Sequence, residues 1–98
     1  MNDIKESTKT LKEILDESKI SFNMEECSKL ILWNGDVNSF EFVIYCLIIY
    51  LEFTPEKAET TAYTVHMMGK DIIKTGSKEE LEPYKKILDE RGLSTTIE

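Results

Sequence analysis

Few side chains in this sequence could carry acid–base, nucleophilic or metal chemistry. His66 is the only histidine, and Cys27 and Cys46 are the only thiols. No Cys-x-x-Cys pair occurs and no second nitrogen or thiolate stands at zinc spacing, so neither a metal site nor a cofactor is expected. The carboxylates are scattered over charged stretches where solvation accounts for them. A hydrolytic centre would need a nucleophile beside His66, yet the serines and threonines fall at cap and turn positions. An Asp36–His66 dyad would become a hydrolase only with a Ser, Thr or Cys in reach of His66. Gly35, Gly69, Gly76 and Gly92 are isolated and form no phosphate-cradling loop. No catalytic residue is therefore expected, and the chain reads as a non-enzyme. One polar cluster is left over: Asn34-Gly35-Asp36, set inside LILWNGDVNSFEFVIYCLIIYL. Turn chemistry accounts for those residue types.

The elements that must hold these residues follow from pattern. With 98 residues the chain fits one domain with a modest core. A net charge of -7 leaves no cationic excess for phosphate backbones, so nucleic acid is not an expected partner. Phe42 to Leu51 is an apolar run of only ten residues, about half of the roughly 20 that cross a bilayer. It reads as a core helix, and no membrane partner is expected. Cys46 within that run behaves as a small hydrophobe, and reduced thiols fit a cytoplasmic location. The N-terminus mixes Lys with Asp and Glu, unlike a signal or transit peptide.

Residues 1–26 are polar and charge-mixed, with Ile4, Leu11, Ile14 and Leu15 as a thin stripe, and read as a flexible or partly helical tail. Residues 27–98 read as the folded core. Leu30 to Trp33 is a strand ending in the polar turn. Asn38 offers an N-cap, with Glu41 three residues on, for a helix whose stripe is Phe40, Val43, Ile44, Leu47, Ile48 and Leu51. Thr54-Pro55-Glu56 starts a second helix that Gly69 stops, with Ala58, Ala62, Val65 and His66 facing inward. Asp71 to Thr75 is a second strand. Ser77 and Glu80 make a capping-box pair, but Pro83 either kinks the third helix or delays its start. Leu81, Tyr84 and Leu88 supply its apolar face, Gly92 ends it, and Leu93 to Ile97 is an edge strand. The order β-α-α-β-α-β implies an α+β fold, a small three-stranded antiparallel sheet packed against three helices.

Taken together, WNGDVNSFEFVIYCL, VHMMGK and RGLSTTIE resemble the ClpS family of ATP-dependent Clp protease adaptors. That family carries an Asn-Asp-Asp turn before a helix, a Val-His pair before a glycine and a C-terminal strand. The resemblance runs from Lys29 to Glu98 at nearly constant spacing. It implies an adaptor that binds the free amino terminus of proteins beginning with Leu, Phe, Tyr or Trp (N-degrons) and delivers them to the N-domain of a Clp AAA+ unfoldase, of the ClpA or ClpC type. Carried over by position, Asn34, Asp36 and His66 would hold the substrate α-ammonium. An α-amino group with a pKa of about 8 is mostly cationic at neutral pH and seeks acceptors. An amide oxygen, a carboxylate and an unprotonated imidazole nitrogen are all acceptors. The resemblance further implies a pocket for the first side chain from Asn38, Phe40, Val43, Ala62, Val65 and Leu93, and unfoldase docking near Glu79.

The sequence departs from the family pattern at Gly35, where the first turn aspartate is missing, and at Ala62 and Phe40. Ala62 stands where a methionine guards the pocket rim, and Phe40 where methionine is frequent. Weaker pull on the ammonium and a redistributed pocket volume are the expectations. The competing class is a plain interaction domain of the same small α+β fold, as in the C-terminal domain of a ribosomal stalk protein. In that case Asn34, Asp36 and His66 would not share a concavity.

Overall fold

A computed structural model describes residues 27–98; the tail expected over residues 1–26 lies outside them. The described elements are β1 (Ser28–Trp33), α1 (Phe40–Leu51), α2 (Pro55–Met68), β2 (Lys70–Gly76), α3 (Lys78–Glu90) and β3 (Ser94–Ile97). β1 is the middle strand of a three-stranded antiparallel sheet of order β2-β1-β3. The α+β architecture expected from the pattern is the one observed.

Alternation along β1 sends Leu30 and Leu32 to the helix-covered face, where they meet Leu47, Ala58, Val65, Leu81, Leu88 and Leu93 in one buried cluster. Leu30 faces Lys74 while Ile31 faces Ile72, so Ile73 is the extra residue of a bulge, and it is buried. Cys46 is fully buried in α1 beside Leu47, and burial pushes its thiol up, against the opposing Arg91 charge.

Local signals set most element ends. In α2, Thr54 Oγ1 accepts from Lys57 N at 3.1 Å, Pro55 occupies the first turn, and Gly69 closes the helix at φ 94°. In α3 the Ser77 hydroxyl accepts from Glu80 N at 3.1 Å while Ser77 N donates to Glu80 Oε1 at 2.9 Å. That reciprocal pair starts the helix at once, and α3 continues through Pro83. The proline deprives only the Glu79 carbonyl of a partner, and Glu79 is exposed to water.

Five expectations shift. β1 begins at Ser28, two residues ahead of the expected Leu30. The cap of α1 is Ser39, whose hydroxyl accepts from Phe42 N at 3.1 Å, and not Asn38, whose amide is bound elsewhere. On α2 the buried positions are Ala58, Thr61, Ala62 and Val65, whereas His66 is exposed. β2 spans Lys70–Gly76, one residue longer at each end than expected, because pairing with β1 runs from Trp33–Lys70 to Ser28–Gly76. Leu93 belongs to the turn and not to β3. Its N–H closes on Leu88 O at 3.1 Å, and Gly92 N closes on Asp89 O at 2.9 Å, which satisfies the last carbonyls of α3.

These connections bring several element ends together. The Trp33 end of β1 meets the start of β3 through Trp33–Ser94 pairing and the end of α2 through a 2.9 Å bond from Asn34 N to Gly69 O. Among the described residues, no helix is long and apolar enough to cross a membrane.

Candidate functional site

At that meeting point lies a cavity of about 450 Å³. Leu32 and Trp33 line it from β1, and Asn34, Gly35, Asp36 and Asn38 from the following loop. Phe40 and Val43 contribute from α1, Ala62, Val65 and His66 from α2, and Leu93 and Ser94 from the turn into β3. The sequence motifs are separated by dozens of residues, and the sheet register is what closes them into one wall.

His66 stands one turn before Gly69, and the Gly69 carbonyl holds the Asn34 backbone. That single hydrogen bond docks the loop carrying Asn34 and Asp36 against the helix end carrying His66. Val65 is buried beneath, while Asn34, Asp36 and His66 are exposed at the mouth. The polar groups therefore rim an opening whose deeper wall is apolar. Side-chain hydrogen bonds among the described residues do not engage the Asn34, Asp36 or His66 side chains. Helices α2 and α3 both end at this cavity. Helix C-termini carry partial negative charge and, with Asp36, favour a cationic guest over an anionic one.

Of the residues expected in a pocket, Val43, Ala62, Val65 and Leu93 present apolar surface, and Phe40 is about one-third exposed at 37%. Asn38 lines the cavity too, but its Nδ2 donates to Gly92 O at 2.7 Å. Glu79 is not at the cavity. It lies in the first turn of α3, at the Ser28–Gly76 end of the sheet, roughly 17 Å of strand from Trp33.

Leu32, Trp33 and Ser94 were not foreseen as wall residues. Trp33 Nε1 donates to Thr96 Oγ1 at 2.8 Å, and Lys70 Nζ lies 4.9 Å from the ring centroid. The position of Trp33 just before Asn34 was visible, but its neighbour Ser94 emerges only from strand pairing. Gly35 needs none of glycine's freedom. It is absent from the residues with positive φ, and a Cβ there would meet nothing within 4 Å. Tight-turn geometry therefore does not account for a glycine at 35.

Among the described residues, no group of three or more His, Cys, Asp or Glu could hold a metal ion. No hydrogen bond joins a described hydroxyl or thiol to His66.

A family model described as "ATP-dependent Clp protease adaptor protein ClpS" matches residues 23–96. The chain is 31% identical over 68 residues to the ATP-dependent Clp protease adapter protein ClpS of Corynebacterium glutamicum, covering 69% of this chain and 68% of that protein. It is 34% identical over 67 residues to the protein of the same name from Thermosynechococcus vestitus, covering 67% and 71%. In three dimensions it is similar to Agrobacterium tumefaciens ClpS2, solved bound to L-phenylalaninamide, with a TM-score of 0.64 over 74% of this chain and 95% of that one at 20% identity. With the family match spanning most of the sequence, the chain belongs to the ClpS family of ATP-dependent Clp protease adaptors.

Proposed function

We propose that the cavity receives the first residue of an N-degron substrate: its free α-ammonium at Asn34, Asp36 and His66, its bulky side chain against Val43, Ala62, Val65 and Leu93. The observation that supports this most is that all of these residues line one cavity, with acceptors at the mouth and apolar groups within. A plain docking domain has no need of that arrangement. The solved A. tumefaciens relative bound to L-phenylalaninamide, a free amine on an aromatic residue, is in keeping with it.

The energetics favour a terminus over an internal segment. Burying a Leu or Phe side chain contributes about 1.5–3 kcal/mol, and each charge-assisted hydrogen bond about 1.5–3. An internal peptide bond offers neither the charge nor the donors, and each buried acceptor left unpaired costs about 1–3 kcal/mol. After the cost of association, affinity for a free terminus falls on the micromolar scale, roughly 8 kcal/mol.

The protein performs no bond-making step in this reading. It acts in the cytoplasm, holding Leu-, Phe-, Tyr- or Trp-initiated proteins and handing them to a Clp AAA+ unfoldase. Docking near Glu79 would leave the cavity open, because that residue sits at the far end of the sheet. Fluorescence anisotropy with a Leu-initiated peptide and its N-acetylated twin tests the reading. The free peptide binds and the acetylated one does not; equal binding of the two refutes it.

A further inference from the structure

We propose that Asn38 is a positioning residue that latches the ammonium-binding loop to the apolar wall, an assignment resting on the adaptor reading above. Its Nδ2 donates to the Gly92 carbonyl at 2.7 Å, across 54 residues of sequence. The loop it leaves carries Asn34 and Asp36, and the turn it reaches presents Leu93 and Ser94 to the same cavity.

Among the described residues, this is the hydrogen bond that joins loop to turn. The other supports of the turn run elsewhere. Gly92 N and Leu93 N close on Asp89 O and Leu88 O within α3. Thr95 Oγ1 donates to Asp89 Oδ1 at 2.7 Å, and Arg91 Nε donates to Tyr50 OH at 2.7 Å, at the opposite end of α1 from the cavity. On the loop side, Asn34 N is held by Gly69 O and Ser39 by its capping of α1. Between those two anchors Asn38 sets how far the loop stands from Leu93. One N–H of its amide is spent on Gly92 O, which fixes the side chain's orientation at the cavity wall. The residue tunes the fit of the first side chain without touching the ammonium.

The shape of the turn and the latch can be separated. Gly92 adopts φ 93°, which only glycine takes without strain, while a Cβ there would stay 3.5 Å from Asn38 Oδ1. Changing Asn38 therefore removes the latch and leaves the backbone of the turn its own reason to form. Asn38→Asp keeps the shape but sets an acceptor against an acceptor, and Asn38→Ala removes the group.

The experiment compares the full chain and both variants by anisotropy, with peptides identical beyond a first Leu, Phe, Tyr or Trp, each free and N-acetylated. Hydrogen exchange of the free proteins is followed at Gly92, Leu93 and Ser94. Both variants should lose discrimination among first residues, and Asn38→Ala, which adds no charge beside the ammonium, should bind the free peptides about fivefold more weakly, the scale of one hydrogen bond. The preference for free over acetylated peptide should persist, and exchange at the turn should speed up. Unchanged exchange at the turn overturns the latch. So does loss of the free-over-acetylated preference, which would put Asn38 on the ammonium itself, or a uniform loss of affinity with first-residue discrimination intact. Should the unmodified chain bind free and acetylated peptides alike, the adaptor reading fails, and exchange at the turn still decides the latch.

Discussion

An imidazole, an amide oxygen and a carboxylate at the rim of one cavity would act on the proposed guest through their ability to accept hydrogen bonds from its ammonium. Affinity for a Leu-initiated peptide should weaken above about pH 8 as the α-ammonium loses its proton, and His66→Ala, which removes one acceptor, should weaken it at neutral pH. An unchanged Kd in that variant by anisotropy removes His66 from the role. Gly35 offers the converse experiment. Because position 35 has open space and no positive φ, Gly35→Asp adds a carboxylate at no backbone cost and should tighten binding several-fold, less so in high salt. No change in Kd would show that this side chain is too far from the guest. At the opposite wall, Ala62→Met adds volume on α2 and should lower affinity for Trp- and Tyr-initiated peptides more than for Leu-initiated ones. A uniform effect in a first-residue screen would argue that Ala62 does not bound the pocket.

The helices have one strained end and one pH-sensitive end. Glu52 terminates α1 at φ 59°, a left-handed conformation held by a non-glycine residue. The crowding of its Cβ costs about 1 kcal/mol, so Glu52→Gly should raise stability by up to that amount and Tm by roughly 4–8 °C. On α3, Lys85 Nζ contacts Asp89 Oδ2 at 2.6 Å and Thr95 O at 2.9 Å. Desolvation pushes the Asp89 carboxyl up, but the Lys85 and Thr95 hydrogen bonds and the Lys85 charge outweigh it and hold the group below its ordinary range. A carboxyl depressed in the folded state stabilises the fold above its ordinary value of about pH 4 and loses that contribution as pH falls through the depressed one. The gap in urea midpoint between the wild type and Asp89→Asn should therefore narrow in acid. A constant gap would show that the contacts carry no linked charge.

At the scale of the molecule, the proposed cargo and unfoldase sites lie apart by about the length of the sheet, an arrangement that would let the protein be gripped while it holds something. Deleting residues 1–20 tests the proposed division of labour: peptide binding should survive and stimulated degradation by a Clp protease should stop. Loss of both would tie the deleted residues to the cavity. Much of this molecule was readable before folding, because its signals act over three or four residues. Thr54, Pro55 and Gly69 bound α2 by satisfying or lacking backbone hydrogen bonds, and Ser77 with Glu80 started α3 in spite of Pro83. The motifs naming the acceptors and apolar groups were also legible as a set. What the chain could not disclose locally was which partner each group would take. Asn38 looked like a cap until Gly92 took its amide, and Ser39 capped instead. His66 looked inward until burial of Thr61 and Val65 left it at a mouth. Trp33 and Ser94 became wall residues only once β1 paired with β3. The amino-acid order alone determined the elements, the ends of α2 and the start of α3, and the candidate chemistry, since these depend on near neighbours and periodicity. Only the tertiary structure decided the cavity, because a concavity built from two strand ends, a loop and two helices exists through contacts across tens of residues that no local pattern encodes.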